Sequence, residues 1–262
     1  MSRHEAARAA APISLAEFIR SIEQIDLASP EDLWQARRLL RALAADSGWL
    51  VTRLAEELAT NIDRFQQNNL YDAHTLLLVS DPRYLLRANI WVPLDGSTPA
   101  ADPRDFSYGI AHNHNFHLLS VGMIGPGYET DLFRLAEADR LLRPGDPVML
   151  TPSGSVRLGP GVILLYEAYC DVHVQRPSAA LSVSLNLMTR PKVADLPQVV
   201  LDPARGVVTD VLEGRVDGRL YLAEAARDLL GAEGRAALSR VAANDPSPRV
   251  RAAAKRAMDR DA

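Results

Sequence analysis

The chain of 262 residues contains a single cysteine, Cys170. An intrachain disulfide is therefore impossible, as is a zinc cage built from several thiolates, and the composition fits a reducing compartment. No apolar run approaches the roughly 18 residues needed to cross a bilayer, and the first dozen residues lack the apolar core of a secretory signal. No membrane partner and a cytoplasmic location are expected. An excess of one charge is also missing: 29 Lys and Arg against 33 Asp and Glu leave a net −4. Such a balance offers no field to attract nucleic acid, so a small-molecule partner is expected. There is no Gly-x-Ser-x-Gly elbow and no His-Glu-x-x-His pair. Gly125-Pro126-Gly127 lacks the lysine and following helix of a phosphate loop, so it reads as a turn.

What is present begins with helices. Ser14 and Glu17 have capping-box spacing, and Leu15, Phe18, Ile19, Ile22 and Ile25 recur at helical intervals. Ser29-Pro30-Glu31-Asp32 is a second start signal, with Trp34, Leu39, Leu40 and Leu43 as the apolar stripe. A third helical stretch follows Gly48 through Leu50, Leu54 and Leu58, with a polar exit at 64–69. From Thr75 the period changes to that of strands. Thr75 to Val79 and Tyr84 to Val92 flank the turn Ser80-Asp81-Pro82 and predict a hairpin whose second strand turns Arg87, Asn89 and Trp91 to one face. After a loop at 95–103, short strands separated by Gly and Pro turns continue to about 190.

Beyond Pro197 the composition becomes Ala-rich and helical, ending in a pair of helices around Asn244-Asp245-Pro246-Ser247-Pro248 that resembles one HEAT-type hairpin. One such hairpin cannot bury its own apolar face, so it should pack on the barrel or on another subunit, and a homodimer through the helical segments is one outcome. The predicted class is α+β, mainly β: a small antiparallel barrel or jelly roll with N-terminal helices and a C-terminal helical appendage. The expected division is a flexible tail at 1–13, helices plus barrel at 14–195, and the appendage at 196–262.

The chemistry concentrates in one stretch. Half of the six histidines fall within Tyr108-Gly-Ile-Ala-His112-Asn-His114-Asn-Phe116-His117. If this is a strand, His112 and His114 share a face and His117 takes the other. Two imidazoles of one face can grip one metal ion, and His173, ahead of an alternating strand, is the candidate third ligand from a facing strand. His4 and His74 read as surface or satisfied core groups. A first-row metal such as Fe(II) suits neutral imidazole, and three histidines leave positions for substrate and dioxygen; Mn, Ni or Zn suit the same donors. Arg87 and Arg176 are candidate carboxylate binders, with Trp91 beside the first. Tyr108, Tyr128, Tyr166 and Tyr169 are candidate proton donors or barrel packing.

His112-x-His114, the strands between, His173 and the closing Leu181-Ser-Val-Ser-Leu-Asn-Leu187 resemble a cupin barrel, and the helical N-terminus and Arg87-Ala-Asn-Ile-Trp91 are similar to cysteine dioxygenase and its thiol dioxygenase relatives. The resemblance covers roughly residues 14–190. It implies iron held by His112, His114 and His173 without a carboxylate, and Leu118 and Leu119 indeed stand where general cupins place a glutamate. It also implies that Ser184, Asn186 and Met188 occupy the family's Ser-x-His-x-Tyr array, so that Ser184 and Asn186 are catalytic candidates together with Tyr108. Arg87, Trp91, Arg176 and Tyr128 are the candidate substrate contacts. The function expected is a non-heme iron dioxygenase acting on a small organic, thiol or amino-acid-like substrate and O2. A non-catalytic ligand-binding cupin and a cupin isomerase or lyase are the alternatives.

Overall fold

Twelve strands and seven helices lie among the residues that the computed structural model describes, 3–6, 10–60, 66, 69, 74–96, 106–190, 196–212 and 215–259, the side chains of 60, 215 and 217 excepted. The polar exit at 64–69 and the loop at 95–103 lie largely outside them. The first sheet contains β1 (Arg3–Ala6), β2 (Thr75–Ser80), β3 (Tyr84–Trp91), β5 (Leu118–Ile124), β8 (Val162–Tyr166) and β10 (Ser182–Thr189). The second contains β4 (Ala111–Asn113), β6 (Glu129–Leu135), β7 (Leu150–Arg157), β9 (Asp171–Arg176), β11 (Gln198–Asp202) and β12 (Val207–Leu212). Their orders are β1-β8-β5-β10-β3-β2 and β12-β11-β4-β9-β6-β7, antiparallel throughout. This is the expected α+β, mainly β architecture, and its two facing sheets are consistent with the cupin fold.

The helices explain an inverted pattern in the first sheet. α1 (Leu15–Ile22), α2 (Pro30–Gln35), α3 (Arg37–Ala44) and α4 (Gly48–Thr60) precede the sheet. Phe18, Ile22, Leu33, Leu40 and Leu43 are fully buried, in one cluster with Leu86 and Ala88 of β3, Leu119 and Val121 of β5, and Leu185 and Leu187 of β10. The apolar alternates of these strands thus face the helices. Period-two geometry then sends Arg87, Asn89, Ser120, Ser184 and Asn186 to the inner side. A sheet with water on its outer face would carry its polar residues outward; here the helix layer reverses the assignment.

Local signals account for the helix starts. Glu17 N–H donates to Ser14 Oγ at 3.2 Å and Ser14 N–H to Glu17 Oε2 at 2.8 Å, closing the capping box. Ser29 Oγ accepts from Asp32 N–H at 3.1 Å, ahead of Pro30 at the first position. The single helix expected from Ser29 to Leu43 is two, with Ala36 between them.

Two segments depart from expectation. The tail contains β1, which pairs with β8, and its Glu5 accepts from Arg41 Nη1 at 2.9 Å and Arg37 Nε at 3.2 Å. The composition change after Pro197 is not the end of the barrel: β11 and β12 form a hairpin that joins the second sheet beside β4. Only then do α5 (Arg215–Leu229), α6 (Gly231–Asn244) and α7 (Pro248–Asp259) follow. Leu238, Ala242, Ala254 and Ala257 of the last two helices form a core with Ala223 of α5. The final helical pair therefore buries its apolar face against a third helix of its own chain. None of the described helices is long and apolar enough to cross a membrane.

Candidate metal centre

The segment from Tyr108 to His117 is not one strand. Its regular part, β4, is three residues long, and Tyr108 makes an isolated bridge to Gln175. The parity argument nevertheless holds across it. His112 is the cross-strand partner of His173 on β9, with ring centroids 4.3 Å apart, and His114 lies 5.0 Å from each. One donor atom from each of the three falls within 4.8 Å of the others. His117 is elsewhere: its Nδ1 accepts from Ala168 N–H at 3.0 Å.

The donors fit a metal ion. Two imidazole nitrogens bonded at about 2.1 Å and meeting at about a right angle stand about 3.0 Å apart, and His114 Nε2 and His173 Nε2 are separated by 3.0 Å. His112 Nδ1 contacts Ile110 O at 3.0 Å, and His114 Nδ1 contacts Gln198 Oε1 at 3.0 Å. Both acceptors require a proton on Nδ1, which leaves Nε2 bare for a metal. Burial is the main cause that lowers the pKa of all three rings, and the charge of Arg87 adds to it. The neutral form, the one that ligates, is the favoured one.

The rings border a cavity of about 410 Å³, within the ordinary range of small-ligand sites, about 300–1,000 Å³. Arg87, Asn89, Trp91, Tyr128 and Asn186 line it, with Phe106 and Phe116 adding apolar wall. Tyr128 is 2% exposed, and burial pushes its hydroxyl up to about 12, so it stays a donor at neutral pH. Tyr128 and Trp91 have ring centroids 4.3 Å apart. Asn186 is fixed at both ends: Ser120 Oγ donates to its Oδ1 at 2.7 Å, and its Nδ2 donates to Asn89 Oδ1 at 2.9 Å.

Three candidates lie off the cavity. Ser184 accepts from Trp91 Nε1 at 2.9 Å, behind the indole. Tyr108 donates to Val92 O at 3.1 Å and has its ring 5.9 Å from that of Trp91; burial raises its hydroxyl to about 12. Both support Trp91. Arg176 falls on the opposite parity of β9 from His173 and Gln175, so it projects outward, 54% exposed, where it pairs with Asp131 and Glu129. Its carboxylate partners come from its own chain. The Cys170 thiol is raised by burial, the reverse of an activated nucleophile.

Sequence reasoning missed Gln198 and underrated His74. His74 is 8% exposed, lines the cavity, and contacts Asn89 Nδ2 through Nε2 at 2.9 Å. No motif marks Gln198, since its role depends on a strand pairing that no local pattern announces.

No protein-family model matches the chain, and no curated protein does. Among solved structures, it is similar to a hydroquinone 1,2-dioxygenase from Sphingomonas sp. TTNP3 with 4-hydroxybenzoate bound, at 12% identity and a TM-score of 0.32 over 48% of this chain and 70% of that one. A hydroquinone 1,2-dioxygenase in complex with Cd2+ and 4-hydroxybenzonitrile is similar at 15% identity and a TM-score of 0.30, over 50% and 72%. A cupin domain from Bordetella pertussis Tohama I is similar at 17% identity and a TM-score of 0.27, over 47% of this chain and 97% of that one.

Proposed function

We propose that the protein is a cupin-type, metal-dependent oxidoreductase that holds Fe(II) with His112, His114 and His173 and oxidises a small organic molecule with O2. The observation that carries this reading is the register of β4 and β9, which gathers three imidazoles, two of them buried and one half-buried, at one wall of the cavity. Ferrous iron would supply one-electron redox chemistry and free coordination positions there, because three neutral ligands leave both charge and geometry unsatisfied.

The chain's own residues do the rest. Arg87 provides a cation in the cavity wall suited to an anionic group of the substrate. Tyr128 lines the same space, and its hydroxyl, held protonated by burial, lies beside the side chains of Tyr166 and Gln175. Trp91 and Phe116 give the cavity an apolar surface, and the hydrogen-bonded Asn89–Asn186 pair adds polar wall without charge. The cysteine-dioxygenase resemblance suggests a thiol or amino acid as substrate. Asn186 and Met188 provide no acid or base at the positions of that family's His and Tyr, so a panel of small carboxylates belongs in the same assay.

The test is metal analysis of the isolated protein, then anaerobic reconstitution with Fe(II) and oxygen uptake against that panel. One iron per chain, lost in His112→Ala, with substrate-dependent uptake is the expected result. Stoichiometric Mn, Ni or Zn would turn the reading to a cupin lyase or isomerase. Ligand binding without oxygen uptake would turn it to a non-catalytic sensor. Equal metal content in the wild type and His112→Ala would remove the metal centre altogether.

A further inference from the structure

We propose that Gln198 is a positioning residue of the metal centre: its side-chain carbonyl orients His114 and makes strand β11 part of the metal-binding unit. The inference rests on the metal reading above, and it concerns a residue in the segment that composition alone assigns to the helical appendage.

The three candidate ligands have different supports behind them. His112 Nδ1 is held by a backbone carbonyl, Ile110 O, that any residue would provide. His173 Nδ1 is buried without a hydrogen-bond partner, and the ring is held by packing, with Tyr166 at 4.5 Å. His114 alone is held by a side chain, through the 3.0 Å contact of its Nδ1 with Gln198 Oε1. Stacking on Phe116 at 4.7 Å limits the tilt of the His114 ring, and the contact of Nδ1 with Gln198 selects the flip and the tautomer that turn a bare Nε2 toward His173.

The contact is built into the sheet. In the antiparallel register of β11 with β4, Val200 stands opposite His112 and Leu201 opposite Ala111. Continued by two residues on each strand, the register sets Gln198 opposite His114. Parity agrees: Val199 and Leu201 pack in the outer cluster with Ala111 and Val172, while Gln198 and Val200 line the cavity. Asn113, between the two histidines, locks the register by accepting Val199 N–H at 2.8 Å. The centre thus spans three strands in two neighbouring rows on one face: Val200, His112 and His173 in one, Gln198 and His114 in the next.

The chemical consequence concerns affinity more than folding. A metal on Nε2 draws electron density from the ring and makes Nδ1–H a stronger donor, so the bond to Gln198 strengthens when metal binds. An interaction that is stronger in the bound state adds to binding, and support of this kind is typically worth about 10–100-fold in metal affinity. A carboxylate in place of the amide would accept more strongly still.

The experiment measures dissociation constants for Co(II) and Zn(II) by chelator competition on wild-type protein, Gln198→Leu and Gln198→Glu, with the Co(II) absorption spectrum recorded for each. Gln198→Leu should bind about 10–100-fold more weakly with an altered spectrum, and Gln198→Glu should restore or exceed wild-type affinity. Wild-type affinity and an unchanged spectrum in Gln198→Leu would overturn the proposal. If Gln198→Leu does not fold, Gln198→Glu decides: binding tenfold or more weaker than wild type overturns it, and equal or tighter binding supports it. Failure of the wild type itself to bind either metal would instead sink the metal reading, so the two failures are separable.

Discussion

Replacing Asn113 with alanine is the most informative single perturbation of the scaffold. Asn113 is 2% exposed and lies between His112 and His114, on the face away from the cavity. Its Nδ2 donates to Tyr169 O at 3.1 Å in the turn that leads into β9, and its Oδ1 accepts from Val199 N–H at 2.8 Å on β11. It therefore ties together the three segments that supply the histidines and Gln198. Alanine strips the partner from a fully buried N–H, at a cost of about 1–3 kcal/mol, and removes one bond from a half-buried carbonyl, at about 1 kcal/mol. The sum is about 2–4 kcal/mol, or a fall in Tm of about 5–15 °C for a unit of this size. Differential scanning calorimetry of the metal-free protein measures it. Asn244→Ala is the control, since that exposed amide bonds only Arg240 O within its own helix and should change stability by less than about 0.5 kcal/mol. A shift under 2 °C for Asn113→Ala, or one no larger than the control's, would refute the idea that this side chain clamps the centre.

Other consequences can be checked in parallel. Arg87→Ala should raise the apparent KM for an anionic substrate at least about tenfold, the usual worth of a charged hydrogen bond, while Arg176→Ala, on the outer face, should leave it unchanged; steady-state kinetics separates the two. Gly127 has φ +77°, and a Cβ there would stand 2.2 Å from Leu158 O, whereas Gly145 has φ +93° and open space. Gly127→Ala should therefore lower Tm far more than Gly145→Ala, whose cost is backbone strain alone, about 1 kcal/mol. The Glu5 carboxyl is lowered from its usual 4.5, first by its bond to Arg41. Its contribution is present above that value and lost as pH falls through it toward the folded-state pKa. Glu5→Gln should cost about 0.5–1 kcal/mol at pH 7, the scale of a partly exposed ion pair, and progressively less as pH falls below 4.5, as urea melts across that range would show.

Much of this architecture was legible because its signals are local. The Ser14–Glu17 box, Ser29-Pro30 and the alternation of β3 and β10 each act within a few residues, and each appears where the pattern places it. The metal triad was legible in its residues, since His112 and His114 share parity, but His173 comes from β9, the neighbour of β4 in the same sheet, and not from the facing strand expected. What could not be read depends on contacts between distant segments. β1 exists because β8 offers an open edge, and β11 because β4 does. Neither has a strong pattern of its own. The same blindness hid Gln198, an amide whose neighbours in sequence say nothing about the imidazole opposite. Arg176 shows the converse: it follows His173 closely in the chain, yet an odd step along a strand carries it to the other side of the sheet.

The pairing of the first strand sets the order in which this chain can be completed. Arg3 lies against Leu165 and Ala6 against Val162, so β1 waits for most of the barrel before it finds its partner. His112 and His114 likewise wait for β9, and their last neighbour, β11, arrives later still. Such long-range closure is entropically costly and slow, on the order of milliseconds to seconds in barrel-like β domains. In the folded protein the apolar face of the first sheet is covered by α1 to α4. The early helices therefore do more than fill a core: they cover an apolar sheet face that, left bare, would be a surface for association with other chains.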